Sequence, residues 1–198
     1  TITATRTNST SVTVAYTATD GVSVSSVTAY YSTSSGLTSP TSCGSATGLS
    51  GTSASGNITC TIGSSNGTTY YVYTRATDSS SNTEDAPGSA DDSIVYETTA
   101  PTVSSFSSTT SNGSYKAAAT INITATASEA IQSGNTLTVT LDTGRTVILT
   151  AASAGTSLTG TYTVQAGDTS SDLTVSSFTI GTVVDTAGNA MTSTTVPT

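Results

Sequence analysis

The chain has no histidine and no tryptophan, one methionine, two phenylalanines, and only four basic residues, Arg6, Arg75, Lys116 and Arg145, in 198 positions. Without histidine it lacks the one side chain that ordinarily titrates near neutral pH, and with it the usual general base and zinc ligand. Four scattered cations cannot neutralise a phosphate backbone, so nucleic acid is not an expected partner. No apolar run approaches the roughly 20 residues a helix needs to cross a bilayer. There is no signal peptide and no initiator methionine, and the chain reads as a mature piece of a secreted protein, with secretion and anchoring encoded elsewhere.

What is present is hydroxyl and acid. Threonine occurs 48 times and serine 36 times, and the net charge is −8. Good helix formers are scarce while β-branched residues abound. Disordered chains are also polar, but they lack the alternating Val, Ile, Thr and Tyr found here. Strands are expected at Ser11–Thr19, Ser26–Ser32, Asn57–Ile62, Thr68–Thr77 and Ser93–Glu97. After Pro101 they are expected again at Thr120–Ala127, Thr136–Leu141, Arg145–Ala151, Ser157–Val164 and Leu173–Ile180. Ala117–Ala119 is the single stretch with helical character, too short to propagate. Cys43 and Cys60 are close enough along the chain for a disulfide worth about 3 kcal/mol, or they are two buried thiols. A disulfide in an acidic, Ser/Thr-rich chain points to an oxidising, extracellular compartment.

Internal repetition organises the chain. Thr98-Thr99-Ala100-Pro101-Thr102 recurs as Thr194-Thr195-Val196-Pro197-Thr198. Asp78-Ser-Ser-Ser-Asn82 matches Asp185-Thr-Ala-Gly-Asn189, and Thr17-Ala-Thr-Asp20-Gly-Val22 matches Thr126-Ala-Ser-Glu129-Ala-Ile131. Three landmarks in the same order imply one fold used twice. The expected fold is all-β, two tandem immunoglobulin-like Greek-key β-sandwiches at residues 1–97 and 103–193. A linker at 98–102 joins them, and the start of the next linker follows at 194–198.

Thr74-Arg-Ala-Thr-Asp78-Ser-Ser-Ser-Asn82-Thr-Glu84, Glu97-Thr-Thr-Ala-Pro101, Ala127-Ser-Glu129-Ala and Val184-Asp-Thr-Ala-Gly-Asn189-Ala together resemble the bacterial Ig-like tandem repeats of large extracellular adhesins and surface filament proteins. The resemblance spans both halves. It implies a stiff, secreted, often calcium-bound array, and it names no ligand.

Calcium takes six to eight oxygen ligands, and the acids fall where loops can gather them. In such a sandwich the turn after the second strand and the turn before the last strand share one pole. Asp20 and Asp78 occupy those turns in the first copy, Glu129 and Asp185 in the second, and the incoming linker adds Glu97. Glu97, Glu129, Asp185 and Asn189 therefore form the leading candidate set for one ion. Glu97 stands where the resembled repeats usually carry aspartate. Asn82 and Glu84 are a weaker second set, and Asp91 with Asp92 a third. Aspartates and asparagines at strand ends also cap turns with no metal involved.

Asn8, Asn57, Asn66, Asn112 and Asn122 each open an Asn-x-Ser/Thr acceptor triplet for N-glycosylation, a pattern common by chance in so Thr-rich a chain. Among the tyrosines of the Thr68–Thr77 strand, Tyr71 is expected in the core with Tyr70 or Tyr73 outward, a surface for glycan or protein. Lys116 with Asn189 near Glu129 is a candidate trio for an isopeptide bond between the lysine and the asparagine. No set of residues supports catalysis. The expected function is a structural extender or filament-forming segment of a secreted, repetitive bacterial or archaeal surface protein, stiffened by calcium and joined end to end to copies of itself or neighbouring repeats. The alternatives are an adhesin module binding glycan or protein, and an accessory domain of a secreted hydrolase.

Overall fold

A computed structural model describes every residue, 1–198, and the protein is all-β, with thirteen strands and no helix. It divides into two compact units, Thr1–Thr98 and Thr99–Thr198.

The first unit contains β1 (Arg6–Thr7), β2 (Ser11–Thr19), β3 (Val24–Ser32), β4 (Thr41–Thr47), β5 (Ser53–Thr61), β6 (Thr68–Asp78) and β7 (Asp92–Tyr96). They form a five-stranded sheet in the order β1-β7-β6-β3-β4 and a two-stranded sheet of β2 and β5. Strand β2 shows how polar sequence and buried core coexist. Val12, Val14 and Tyr16 turn inward, while the hydroxyl residues between them face solvent, the period-2 pattern of a half-buried strand. They pack against Val27, Ala29, Ile58, Tyr70, Val72 and Ile94.

Strand β4 carries no large apolar residue (Thr-Ser-Cys-Gly-Ser-Ala-Thr). It owes its conformation to pairing with β3, from Ser26↔Thr47 to Tyr31↔Thr41, and to a disulfide from Cys43 to Cys60 on β5. The bond ties an edge strand of the larger sheet to the smaller one. A Cβ on Gly44 would lie 2.2 Å from the Thr59 carbonyl oxygen, so only glycine lets the backbones pass this closely. The chain start changes sheets: Thr1 and Ala15 exchange two backbone hydrogen bonds of 2.9 and 3.0 Å, and the Thr5 and Thr7 carbonyls then accept from Val95 and Glu97 on the other sheet.

The second unit contains β8 (Val103–Ser107), β9 (Thr120–Ile131), β10 (Thr136–Leu141), β11 (Thr146–Thr150), β12 (Gly155–Thr163) and β13 (Val175–Thr182). They form one ladder, β13-β10-β11-β12-β9-β8, in which β11 meets β12 only at Thr150↔Thr159. That single pairing is where one layer of the sandwich passes into the other. Ile123, Ala125, Leu137, Val139, Leu149, Leu158 and Phe178 fill the core.

The pairing schemes of the two units match at their centres. β2–β5 corresponds to β9–β12, β3–β4 to β10–β11, and β3–β6 to β10–β13. Large and small residues trade sides across the same register. Tyr16 lies opposite Gly56 in the first unit, whereas Ala125 lies opposite Leu158 in the second. Both units make a tight hairpin at this turn, with bridges Thr77↔Thr83 and Val184↔Ala190; they differ after it, where the first continues into β7 and the second adds no further strand.

Two local expectations change. Ala118 has φ 71°, which ends any helical turn at 117–119. Tyr70, not Tyr71, lies in the core, while Tyr73 is also buried, its ring stacked on Tyr30 at 5.3 Å, and Tyr71 is half-buried. The reason is register: Tyr70 and Val72 share the inward face of β6, and the outward face buries Tyr73 through its cross-strand partner Tyr30.

Candidate metal centre

The Asp-x-x-x-Asn pattern folds the same way in both units. In the second, the Asp185 N–H donates to the Asn189 carbonyl at 3.0 Å. The Asp185 Oδ1 accepts from the backbone N–H groups of Ala187, Gly188 and Asn189 at 2.8, 2.6 and 2.8 Å, and Oδ2 accepts from Asn189 Nδ2 at 2.8 Å. In the first, the Asp78 Oδ1 accepts from the N–H groups of Ser80 and Asn82, both at 2.8 Å, and Oδ2 accepts from Asn82 Nδ2 at 2.7 Å. The hydrogen bond from the Asn82 side chain, followed by those from the backbone, holds the Asp78 carboxyl below its usual range.

What differs is what surrounds each turn. Asp185 is 1% exposed and bridges Ile131 on β9, which brings it beside Glu129. Asn135 and Gln132 hold the adjoining backbone, donating to the carbonyls of Val184 and Asp185 at 2.7 and 2.9 Å. Ser128, next to Glu129, donates its N–H to the Thr102 carbonyl at 2.8 Å and accepts from the Thr102 N–H on its hydroxyl at 3.0 Å. These bonds tie Thr102 to β9. Carboxylate oxygens of Glu97, Glu129 and Asp185 all lie within 4.8 Å of one another. Glu97 is 7% exposed and Glu129 half-buried.

Three carboxylates this close repel one another, and burial raises the cost of each charge. A hard divalent cation relieves both, and an all-oxygen donor set is what such ions take in preference to soft metals. The residues present therefore fit a metal ion. Both Asp185 oxygens accept hydrogen bonds within its own turn, three N–H groups on Oδ1 and Asn189 Nδ2 on Oδ2. Asn189 belongs to the cluster as the residue that orients Asp185.

The other candidates are spread out. No second group of three acids reaches ligand spacing. The Asp20 Oδ1 accepts from the N–H groups of Val22 and Ser23 at 2.7 and 3.1 Å. Glu84 accepts from the Ala76 N–H, Asp91 from the Thr74 N–H, and Asp92 from the Ile2 and Ser93 N–H groups. Each of these acids accepts from backbone N–H groups, Asp20 within its own turn and Asp92 from the chain start as well as from its neighbour. Glu84 and Asp91 also line an open cavity of ≈ 500 Å³ with Thr1, Ala15, Tyr16 and Thr17. Of the glycosylation triplets, Asn8, Asn57, Asn66 and Asn112 are exposed. Asn122 is half-buried, and its Oδ1 gathers Ser108, Thr109 and Thr110.

Sequence reading missed Asp168. Its side chain is 4% exposed and pairs with Arg145 Nε at 2.8 Å, and it accepts from the Tyr162 hydroxyl at 2.6 Å and the Gln165 N–H at 2.7 Å. The Tyr162 hydroxyl is the main reason the Asp168 carboxyl sits below its usual range, and burial, followed by this aspartate, pushes the Tyr162 phenol up. The local sequence shows only its bond to the Gln165 N–H, while Tyr162 on β12 and Arg145 in the turn before β11 reach it through the fold.

A scan of protein-family models and a search of curated proteins each return no match to this chain.

Proposed function

We propose that this chain is a structural segment, an extender or filament-forming piece, of a secreted and repetitive surface protein built from immunoglobulin-like sandwiches, and that Glu97, Glu129 and Asp185 hold calcium. The observation that carries the reading is repetition at the level of chemistry: both units have the same central strand pairings and the same Asp-x-x-x-Asn turn after the strand pairing with β3 or β10. Repeated modules of this kind serve as spacers because each copy is a self-contained fold.

Disulfide chemistry supports the compartment. Such a bond persists where the surroundings are oxidising, and Cys43–Cys60 is the only cysteine pair in the chain. No helix is long and apolar enough to cross a membrane. The acid cluster supports the calcium part of the reading, since Glu97, Glu129 and Asp185 offer carboxylate oxygens within 4.8 Å of one another. No catalytic step belongs to this reading.

Thermal unfolding of the intact chain in calcium and in EDTA tests it. Calcium should raise the second unit's transition by the amount that binding to the folded state alone dictates, about 2.7 kcal/mol at a hundredfold excess over Kd. Identical curves would remove calcium from the proposal. Reproducible binding on a glycan array would favour an adhesin module over a spacer.

A further inference from the structure

Three positions in the chain place glycine after a residue able to cyclise onto the backbone: Asp20-Gly21, Asn66-Gly67 and Asn112-Gly113. Glycine matters because it has no side chain to shield its own nitrogen and because it reaches backbone angles other residues avoid. The structure treats the three pairs differently.

At Asn66, the side-chain Oδ1 accepts from the Thr98 N–H at 2.8 Å. The Gly67 nitrogen, which would have to attack, donates to the Tyr96 carbonyl at 2.8 Å. Gly67 is also held at φ +75° in the turn before β6. Both reacting groups are thus engaged. At Asp20, the carboxylate accepts from two N–H groups of its own turn, and a carboxylate is a poor electrophile.

Asn112 and Gly113 lie in the segment between β8 and β9, where 111–118 is exposed throughout. That segment is pinned at its start, where Asn122 gathers residues 108–110, and again at Ala118 and Ala119, which bond with Val164. Between the pins the Tyr115 hydroxyl donates to the Ser111 carbonyl, but this bond engages neither the Asn112 side chain nor the Gly113 nitrogen, and a Cβ built on Gly113 meets nothing within 4 Å.

We propose that Asn112-Gly113 is a self-modification site, where the chain deamidates through a succinimide while Asn66-Gly67 stays intact. The Gly113 backbone nitrogen attacks Asn112 Cγ, forming a new C–N bond. The Cγ–Nδ2 bond breaks, and the departing nitrogen takes up the Gly113 proton and leaves as ammonia. Water then opens the ring at either carbonyl, giving an aspartyl or an isoaspartyl residue at position 112. No oxidant, reductant or second reactant beyond water is needed. The product carries one more negative charge and no longer contains the Asn112-Gly113-Ser114 acceptor triplet. Glycosylation and deamidation compete for the same amide, and a glycan on Nδ2 protects it.

The test uses the intact chain, incubated for days in mildly alkaline buffer and followed by peptide mapping and isoaspartyl methylation. The expected result is conversion at position 112 faster than at 66 by on the order of tenfold or more, the factor that two ordinary hydrogen bonds impose on an opening equilibrium. Asn112→Gln should remove the acidic product, and Gly113→Val should slow its formation, with the melting temperature unchanged in both because the positions are exposed. Urea should bring the two Asn-Gly pairs to similar rates. Equal conversion at 66 and 112 in the folded chain, or conversion at 66 alone, overturns the proposal, as does a folded chain that shows no conversion at 112.

Discussion

Asp185 and Asp78 occupy equivalent turns, yet burial separates their roles. The Asp185 carboxylate serves three backbone N–H groups in a nearly dry setting, so Asp185→Ala leaves those donors without an acceptor. The expected loss for the second unit is about 3 kcal/mol, measured by chemical denaturation. Asp168 makes the acid response of the same unit testable. Its carboxyl is held below the usual range mainly by the Tyr162 hydroxyl. A depressed folded value means that its contribution is present above the unfolded value of about 3.9 and is lost as pH falls through the folded value. Unfolding curves taken below about pH 4 should therefore show a falling midpoint for the second unit, and Asp168→Asn should flatten that dependence while lowering stability at neutral pH.

At the scale of elements, the sequence was readable where burial alternates and silent where it does not. Ser11–Thr19 and Thr136–Leu141 are strands with the expected bounds, because Val12, Val14, Leu137 and Val139 sit at period 2 and mark an inward face. β4 left no such mark, since its residues are small or hydroxylated and a cross-strand partner and a disulfide hold it in place. β8 was missed for the same reason, as Val-Ser-Ser-Phe-Ser carries only two apolar residues. The acids were legible by position through repetition, which brought Glu129, Asp185 and Asn189 together. Whether an aspartate serves its own turn or also an ion depends on side-chain direction and burial, which Asp78 and Asp185 share no signal for in their five-residue patterns.

Two element-scale outcomes follow. Reduction, or Cys43→Ser with Cys60→Ser, should destabilise the first unit by about 3 kcal/mol, in line with a 17-residue separation. Calorimetry should find the second unit's transition unmoved. Gly160→Ala should cost the second unit about 2 kcal/mol or more, because the new Cβ falls 2.4 Å from the Ile148 carbonyl oxygen and 2.7 Å from Leu149 Cδ2. Gly21→Ala, where a Cβ meets nothing, is the matched control and should leave the midpoint in place.

For the whole molecule, the two units achieve the same result with different cores: one built on valine, isoleucine and tyrosine with a disulfide, the other on leucine, valine and alanine. Matching strand pairings under diverged cores are what a repeated module shows when volume and pattern are conserved more than identity. A net charge of −8 draws cations, and the group of three acids at ligand spacing is able to hold one. The most direct test is calorimetric titration of calcium into the intact chain beside Glu129→Gln, a substitution that leaves the Asp185 turn bonds untouched. The expected result is one site per chain, with binding weakened at least about tenfold in the variant, the loss of one charged ligand. No heat from the parent chain, or equal affinity in the variant, would contradict it.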